Sequence, residues 1–147
     1  MLALSAAAMG RVKVIRAGYV ERVEPICREA TRANAKVLRG VEGEVRRGEL
    51  TRAAPAILHA AAELEAVIGR LAPIPRPAAD RSRLAEWLAD ARAGDRLLWK
   101  MGSSLRAGQK ARVESMANEL LREARRANAT VVGFDFDYCR LDPARFV

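Results

Sequence analysis

The stretch from Tyr19 to Arg46 carries an apolar or small seam at Val20, Val23, Cys27, Ala30, Asn34, Val37, Val41 and Val45. Steps of three and four residues hold one face of a 3.6-residue helix toward a partner for several turns, so a long packed helix is expected. Cys27 is the one reactive side chain on that seam. The chain has 147 residues, enough for one domain with a core of its own. Half of it is hydrophobic, but largely as alanine, and aromatics make up only 5%. Such a core is built from helices that approach closely, and strand formers are sparse.

The first helix is expected over 19–46, with Pro25 either kinking it or sitting in its first turn after a short lead-in. Asn34 on the seam reads as a register-setting polar residue. Gly40 and Gly43 weaken the last turns, and Arg46-Arg47-Gly48 supplies cations and a glycine stop. A second helix follows, with Thr51 as N-cap, Pro55 in its opening turns and a seam at Ala54, Ile57, Ala61, Leu64, Ile68 and Leu71. APIPRPAA at 72–79 has three alternating prolines and is a stiff link between two hairpins.

The third helix opens at Asp80 or Ser82 and turns Leu84, Trp87, Ala91, Gly94, Leu98, Met101 and Leu105 inward. Ala91 and Gly94 leave its middle hollow, either for a close neighbouring backbone, for Trp87 or Trp99, or for a small ligand. Arg106-Ala107-Gly108-Gln109 repeats the earlier stop, and the fourth helix buries Val113, Met116, Ala117, Leu120, Leu121, Ala124 and Ala127. From Val131 the pattern changes to Val131, Val132, Phe134, Phe136 and Tyr138 interleaved with glycine and aspartate. A period of two implies an extended segment pressed along the helices. The expected fold is all-α, an antiparallel up-down four-helix bundle with an extended C-terminal tail. Residues 1–18 form an N-terminal extension, and the domain at 19–147 divides into hairpin 19–71, connection 72–79, hairpin 80–130 and tail 131–147.

A formal charge of +8 invites a nucleic-acid or anionic-surface reading, because clustered cations release counterions from phosphates. Placement argues against a phosphate track. Arginine outnumbers lysine 22 to 4, and Glu21, Glu24, Glu42, Glu44, Glu119 and Glu123 lie among the bases, which is the pattern of solvated helix faces. The apolar run Leu2 to Met9 is too short to span a bilayer, and its bases Arg11, Lys13 and Arg16 follow it where an export signal has them in front. Ala6 and Ala8 nevertheless stand as at a signal cleavage site. The run is either the remnant of such a signal or a frayed terminus.

Cys27 and Cys139, with 111 residues between them, fit no short metal or redox pair. In an up-down bundle the start of the first helix lies beside the end of the fourth, and that topology brings both cysteines to one end. A disulfide between them is expected, which favours an extracytoplasmic compartment; the alternative is two buried thiols in a cytosolic protein. The run YVERVEPICREA, the proline-linked hairpins and the close GFDFDYC resemble a group of small uncharacterised secreted or lipid-anchored helical proteins of GC-rich actinobacteria. In these a Y-V-x-x-x-x-x-I-C opening is answered by a cysteine soon after a G-F near the C-terminus. The resemblance spans about Tyr19 to Cys139 and implies an exported helical domain, with no assigned activity. The chain departs from the group in having no N-terminal cysteine for a lipid and no complete signal.

His59 with Glu63 has the spacing of two metal ligands, but His59 points about 160 to 200 degrees from the seam of its helix, so an exposed pair is expected. The same geometry rules His59 out as a haem ligand with Met101 or Met116 inside the bundle. Asp135, Asp137 and Asp142 lack EF-hand spacing, and Ser103, Ser104 and Ser115 have no base nearby in sequence. No nucleotide loop, nucleophile elbow or Glu-x-x-His pair is present, so no catalytic residue, cofactor or metal is expected. The expected role is that of a non-enzymatic extracytoplasmic binding protein. Its partner is a protein, an envelope component or a small apolar ligand, and the alternative is an intracellular basic module for nucleic acid.

Overall fold

The computed structural model describes residues 5–141, so Leu2 of the N-terminal run and Asp142 of the tail aspartates lie outside the described residues. The chain is all-helical there: α1 Ala6–Val37, α2 Val41–Arg46, α3 Leu50–Leu71, α4 Arg81–Arg106 and α5 Lys110–Thr130, with a single 3-10 turn at Ala78–Asp80.

The first helix differs most from expectation. It begins at Ala6, where the Ser5 hydroxyl accepts the Ala8 N–H at 3.4 Å, so residues 6–18 continue the helix instead of lying outside it. Pro25 therefore falls deep inside α1 and leaves the Glu21 carbonyl without its i+4 donor. The expected single helix to Arg46 breaks after Val37: Gly40 takes φ +85°, a left-handed conformation that glycine adopts without strain, and α2 is a separate short helix. Of the two residues expected as caps, Asp80 does stand at the N-cap position of α4, though without a side-chain cap bond, and Thr51 does not cap α3. The third helix starts at Leu50, ahead of Thr51, while Asp80 makes no cap bond because its carboxylate is taken by Arg16.

The fourth helix is central, packing against α3 on one side and α5 on the other, while α1 and α2 lean on α3. Two buried clusters result. One joins Tyr19, Val23 and Cys27 to Val67, Leu71, Leu84, Trp87 and the tail; the other joins Leu50, Ala53, Ile57, Met101, Leu105 and Val113 around the α4–α5 turn. The hollow anticipated at Ala91 and Gly94 is half filled, since a Cβ on Gly94 would stand 3.5 Å from Leu120 Cδ1. Gly102 is the tighter approach, for a Cβ there would collide with the Leu58 side chain. Gly102→Ala is expected to destabilise by up to about 2 kcal/mol, read as a lower urea midpoint, because overpacking of ~1–3 kcal/mol is set against alanine's helix preference of ~1 kcal/mol. Adding Leu58→Ala should recover part of the loss.

Beyond α5 the chain turns at Val131–Phe134, with Gly133 at φ +95°. Val131, Phe134, Phe136 and Cys139 are buried and Asp135 and Asp137 exposed, so the alternation read in the sequence holds only over Phe134–Asp137: Val132 is exposed, and residues 131–140 are mostly turns and bends where an extended segment was expected. Phe136 stacks on Trp87 at 5.2 Å and on Phe134 at 5.3 Å, and Phe134 meets Tyr19 edge-on at 6.3 Å.

Candidate functional site

Residues 131–141 form a belt fastened to α1 and α5. From α1, the Glu24 carboxylate accepts the backbone N–H of Tyr138 at 2.9 Å and of Cys139 at 2.8 Å. From α5, Asn128 donates to the Leu141 carbonyl at 2.7 Å and accepts its N–H at 2.8 Å. Such side-chain bonds satisfy backbone groups that a segment outside any helix would otherwise bury unpaired. Arg28 lies over the Tyr138 ring at 5.5 Å. Cys27 and Cys139 stand at disulfide distance, with their sulfurs 2.03 Å and their Cα atoms 5.1 Å apart. The belt thus bridges α1 and α5.

Beneath it lies a cavity of about 80 Å³ bounded by α1, α3, α4 and the belt, lined chiefly by Ala30, Leu64, Val67, Leu88, Ala91 and the Cys27–Cys139 pair. Ala91 keeps it open on the α4 side, which is the remainder of the hollow read in the sequence. An apolar cavity of ~150 Å³ holds a benzene, so this one suits a molecule of only a few heavy atoms unless the belt shifts. A wider apolar cleft of about 260 Å³ lies at the other core cluster, between Val41, Val45, Ile57, Met101 and Val113, with Glu42 and Glu114 at its rim. An open polar cleft beside Pro25 is lined by Glu21, Arg28, Glu29, Arg32 and Tyr138.

The remaining sites weighed in the sequence disperse. His59 is exposed, with Nε2 3.8 Å from Glu63, and Met101 and Met116 lie in the core. Among the described residues no group of three or more His, Cys, Asp or Glu is placed to hold a metal ion. The Ser103 hydroxyl donates to the Trp99 carbonyl at 3.1 Å, Ser104 is buried and Ser115 is exposed. Asn34 Oδ1 is buried without a hydrogen-bond partner.

The sequence marked Asp80 only as a helix cap and did not mark Asp95 at all. Asp80, 3% exposed, receives both Arg16 Nε and Nη2 at 2.7 Å, and that bond holds the guanidinium above its usual pKa. Asp95, on the face of α4 toward α3, is held above the usual carboxylate range first by burial and then by the charge of Glu65. Its Oδ1 has no partner. A raised folded-state pKa stabilises below the unfolded value near ~3.9 and is lost as pH rises through the folded value, so ionised Asp95 weakens the fold at neutral pH. Asp95→Asn is therefore expected to raise Tm at pH 7 by roughly 3 °C, about 1 kcal/mol, with the gain shrinking toward pH 4. Thermal melts of both proteins at the two pH values check it.

No protein-family model matches the chain. Neither curated proteins nor solved structures give a significant match. No helix among the described residues is long and apolar enough to cross a membrane.

Proposed function

We propose that this chain is an extracytoplasmic binding protein, an up-down four-helix bundle whose cysteine-fastened tail roofs a site for a small apolar ligand. The observation that carries this reading is the 80 Å³ apolar cavity closed on one side by the Cys27–Cys139 pair. A bond closing so long a loop is kept in oxidising compartments, which agrees with the resemblance to exported actinobacterial proteins. The binding role is supported by the lining, which is chiefly apolar and suits a small apolar molecule.

Xenon is the probe of choice for a small, largely apolar cavity. Under xenon pressure, methyl resonances of Ala30, Leu64 and Ala91 should shift while those of exposed Val14 do not, and Ala91→Leu should abolish the shifts. Absence of shifts in the parent protein sinks the ligand reading. Intact mass after alkylation, with and without reductant, tests the compartment argument: both cysteines should alkylate only after reduction. The charge of +8 keeps a second reading in view, a basic module for nucleic acid. Steep loss of duplex affinity across a salt series would favour that reading, and no binding at low salt would remove it.

A further inference from the structure

The cleft of about 260 Å³ at the second core cluster is walled by Val41 and Val45 of α2 and Val113 of α5, over buried Ile57, Met101 and Leu105. No residue of α2 is buried, so Val41 and Val45 stay half covered although they pack on that cluster. Left-handed glycines set the short helix in place on both sides, Gly40 at φ +85° and Gly48 at φ +76°. An apolar cavity of ~150 Å³ holds a benzene, so on the same scale this cleft has room for about ten heavy atoms. It is far larger than the 80 Å³ under the belt, and the two share no lining residue.

The charged groups that line the cleft are both acids, Glu42 and Glu114. Glu42 follows Val41 on α2 and Glu114 follows Val113 on α5, and three residues later each wall continues with an apolar residue, Val45 or Ala117. The chain thus writes Val-Glu-x-x-Val on one wall and Val-Glu-x-x-Ala on the other, which in a helix sets the glutamate beside the apolar pair. Both glutamates are exposed. Glu114 forms no ion pair among the described residues, while Arg46, the partner of Glu42 at 3.1 Å, is itself 74% exposed. A solvated pair of that kind exchanges partners at little cost. Arg39, Arg106 and Lys110 are close in sequence but do not line the cleft.

We propose that this cleft binds an alkylammonium ion, its carbon chain between α2 and α5 over Met101 and its charged head at Glu42 and Glu114. Each methylene withdrawn from water onto such walls favours binding by about fourfold. The unbranched thioether of Met101 lets the floor adapt to the chain. A cationic head gains two carboxylates, whereas the head of a fatty acid would meet two charges of its own sign. The site lies apart from the belt cavity, and the inference does not rest on the reading of that cavity.

The test is titration of the full chain with octylammonium, 1-octanol and octanoate, followed by methyl NMR and calorimetry. Octylammonium, with its nine heavy atoms, should shift the methyl resonances of Val41, Met101 and Val113 saturably and bind about tenfold tighter than octanol, with octanoate weakest. Glu42→Gln with Glu114→Gln should erase the advantage over octanol at unchanged Tm, since both side chains are exposed. Ala117→Leu fills the cleft from a half-buried position and should abolish the shifts with all three compounds while thermal melts show the fold kept. The proposal is overturned by no saturable shift with octylammonium, by equal binding of octanol or octanoate, or by an advantage that survives in the glutamine pair. Shifts at Ala30 and Ala91 in place of Met101 would put the amine under the belt and overturn it as well. A failed xenon experiment leaves this result untouched, and the converse holds too.

Discussion

Reducing the Cys27–Cys139 bond, or replacing both residues by alanine, is expected to lower the thermal midpoint by about 10 °C. The two residues are separated by 112 positions, and releasing a loop of that length returns ~4–5 kcal/mol of chain entropy to the unfolded state on the loop-closure model. Engineered and native bonds often deliver less, so ~3–4 kcal/mol is the expected loss, at ~2–4 °C per kcal/mol for a chain of this size. The unfolded chain also expands, and the urea m-value should rise. Scanning fluorimetry with and without reductant checks the first effect and urea melts the second. A shift under about 2 °C would mean that Glu24, Asn128 and the aromatic stack hold the belt unaided.

Replacing Arg16 by methionine should cost about 3 kcal/mol, a second loss of several degrees. The Asp80 side chain is 3% exposed and meets the guanidinium at 2.7 Å through both Nε and Nη2. Removing the cation strands a buried carboxylate, which is why breaking such a pair costs more than the pair contributes net. Arg16 also covers the Phe134 ring at 5.1 Å, and methionine keeps part of that packing. Adding Asp80→Asn should return most of the stability, and urea melts of the parent, both single variants and the double variant measure the coupling. Equal loss in the single and double variants would place the effect in the lost packing on Phe134.

The sequence was most legible where periodicity or pairing speaks. The seams of α3, α4 and α5 and the glycine stop at Gly108 follow from spacing, and the meeting of Cys27 with Cys139 was read from the helix order expected of the chain. The start of α1 was misread because alanines with Gly10 look like a frayed end, and helix propensity is too weak a signal to locate a terminus without tertiary contacts. The break at Gly40 was visible only as a weakness, since a glycine in the sequence does not declare its φ. Glu24 and Asn128 passed as ordinary residues, and Asp80 as a helix cap. Each is a lone polar side chain on a mixed face, and only the folded chain shows that belt amides or Arg16 stand opposite. The cavity was half legible: Ala91 announces missing volume, but Leu120 filling the space at Gly94 comes from another helix.

The belt also imposes an order of assembly. Helices α3, α4 and α5 follow one another through short links and meet neighbours close in sequence, so their contacts can form early and quickly. The first helix to be synthesised is seated against a segment made more than a hundred residues later. Until Cys139 has been added, Glu24 has no amides to receive and Cys27 no sulfur to meet, so α1 must wait with its inner face covered only by α3 and α4. Shielding by a chaperone, or an oxidant that acts only once synthesis is complete, would keep that waiting face from a wrong partner.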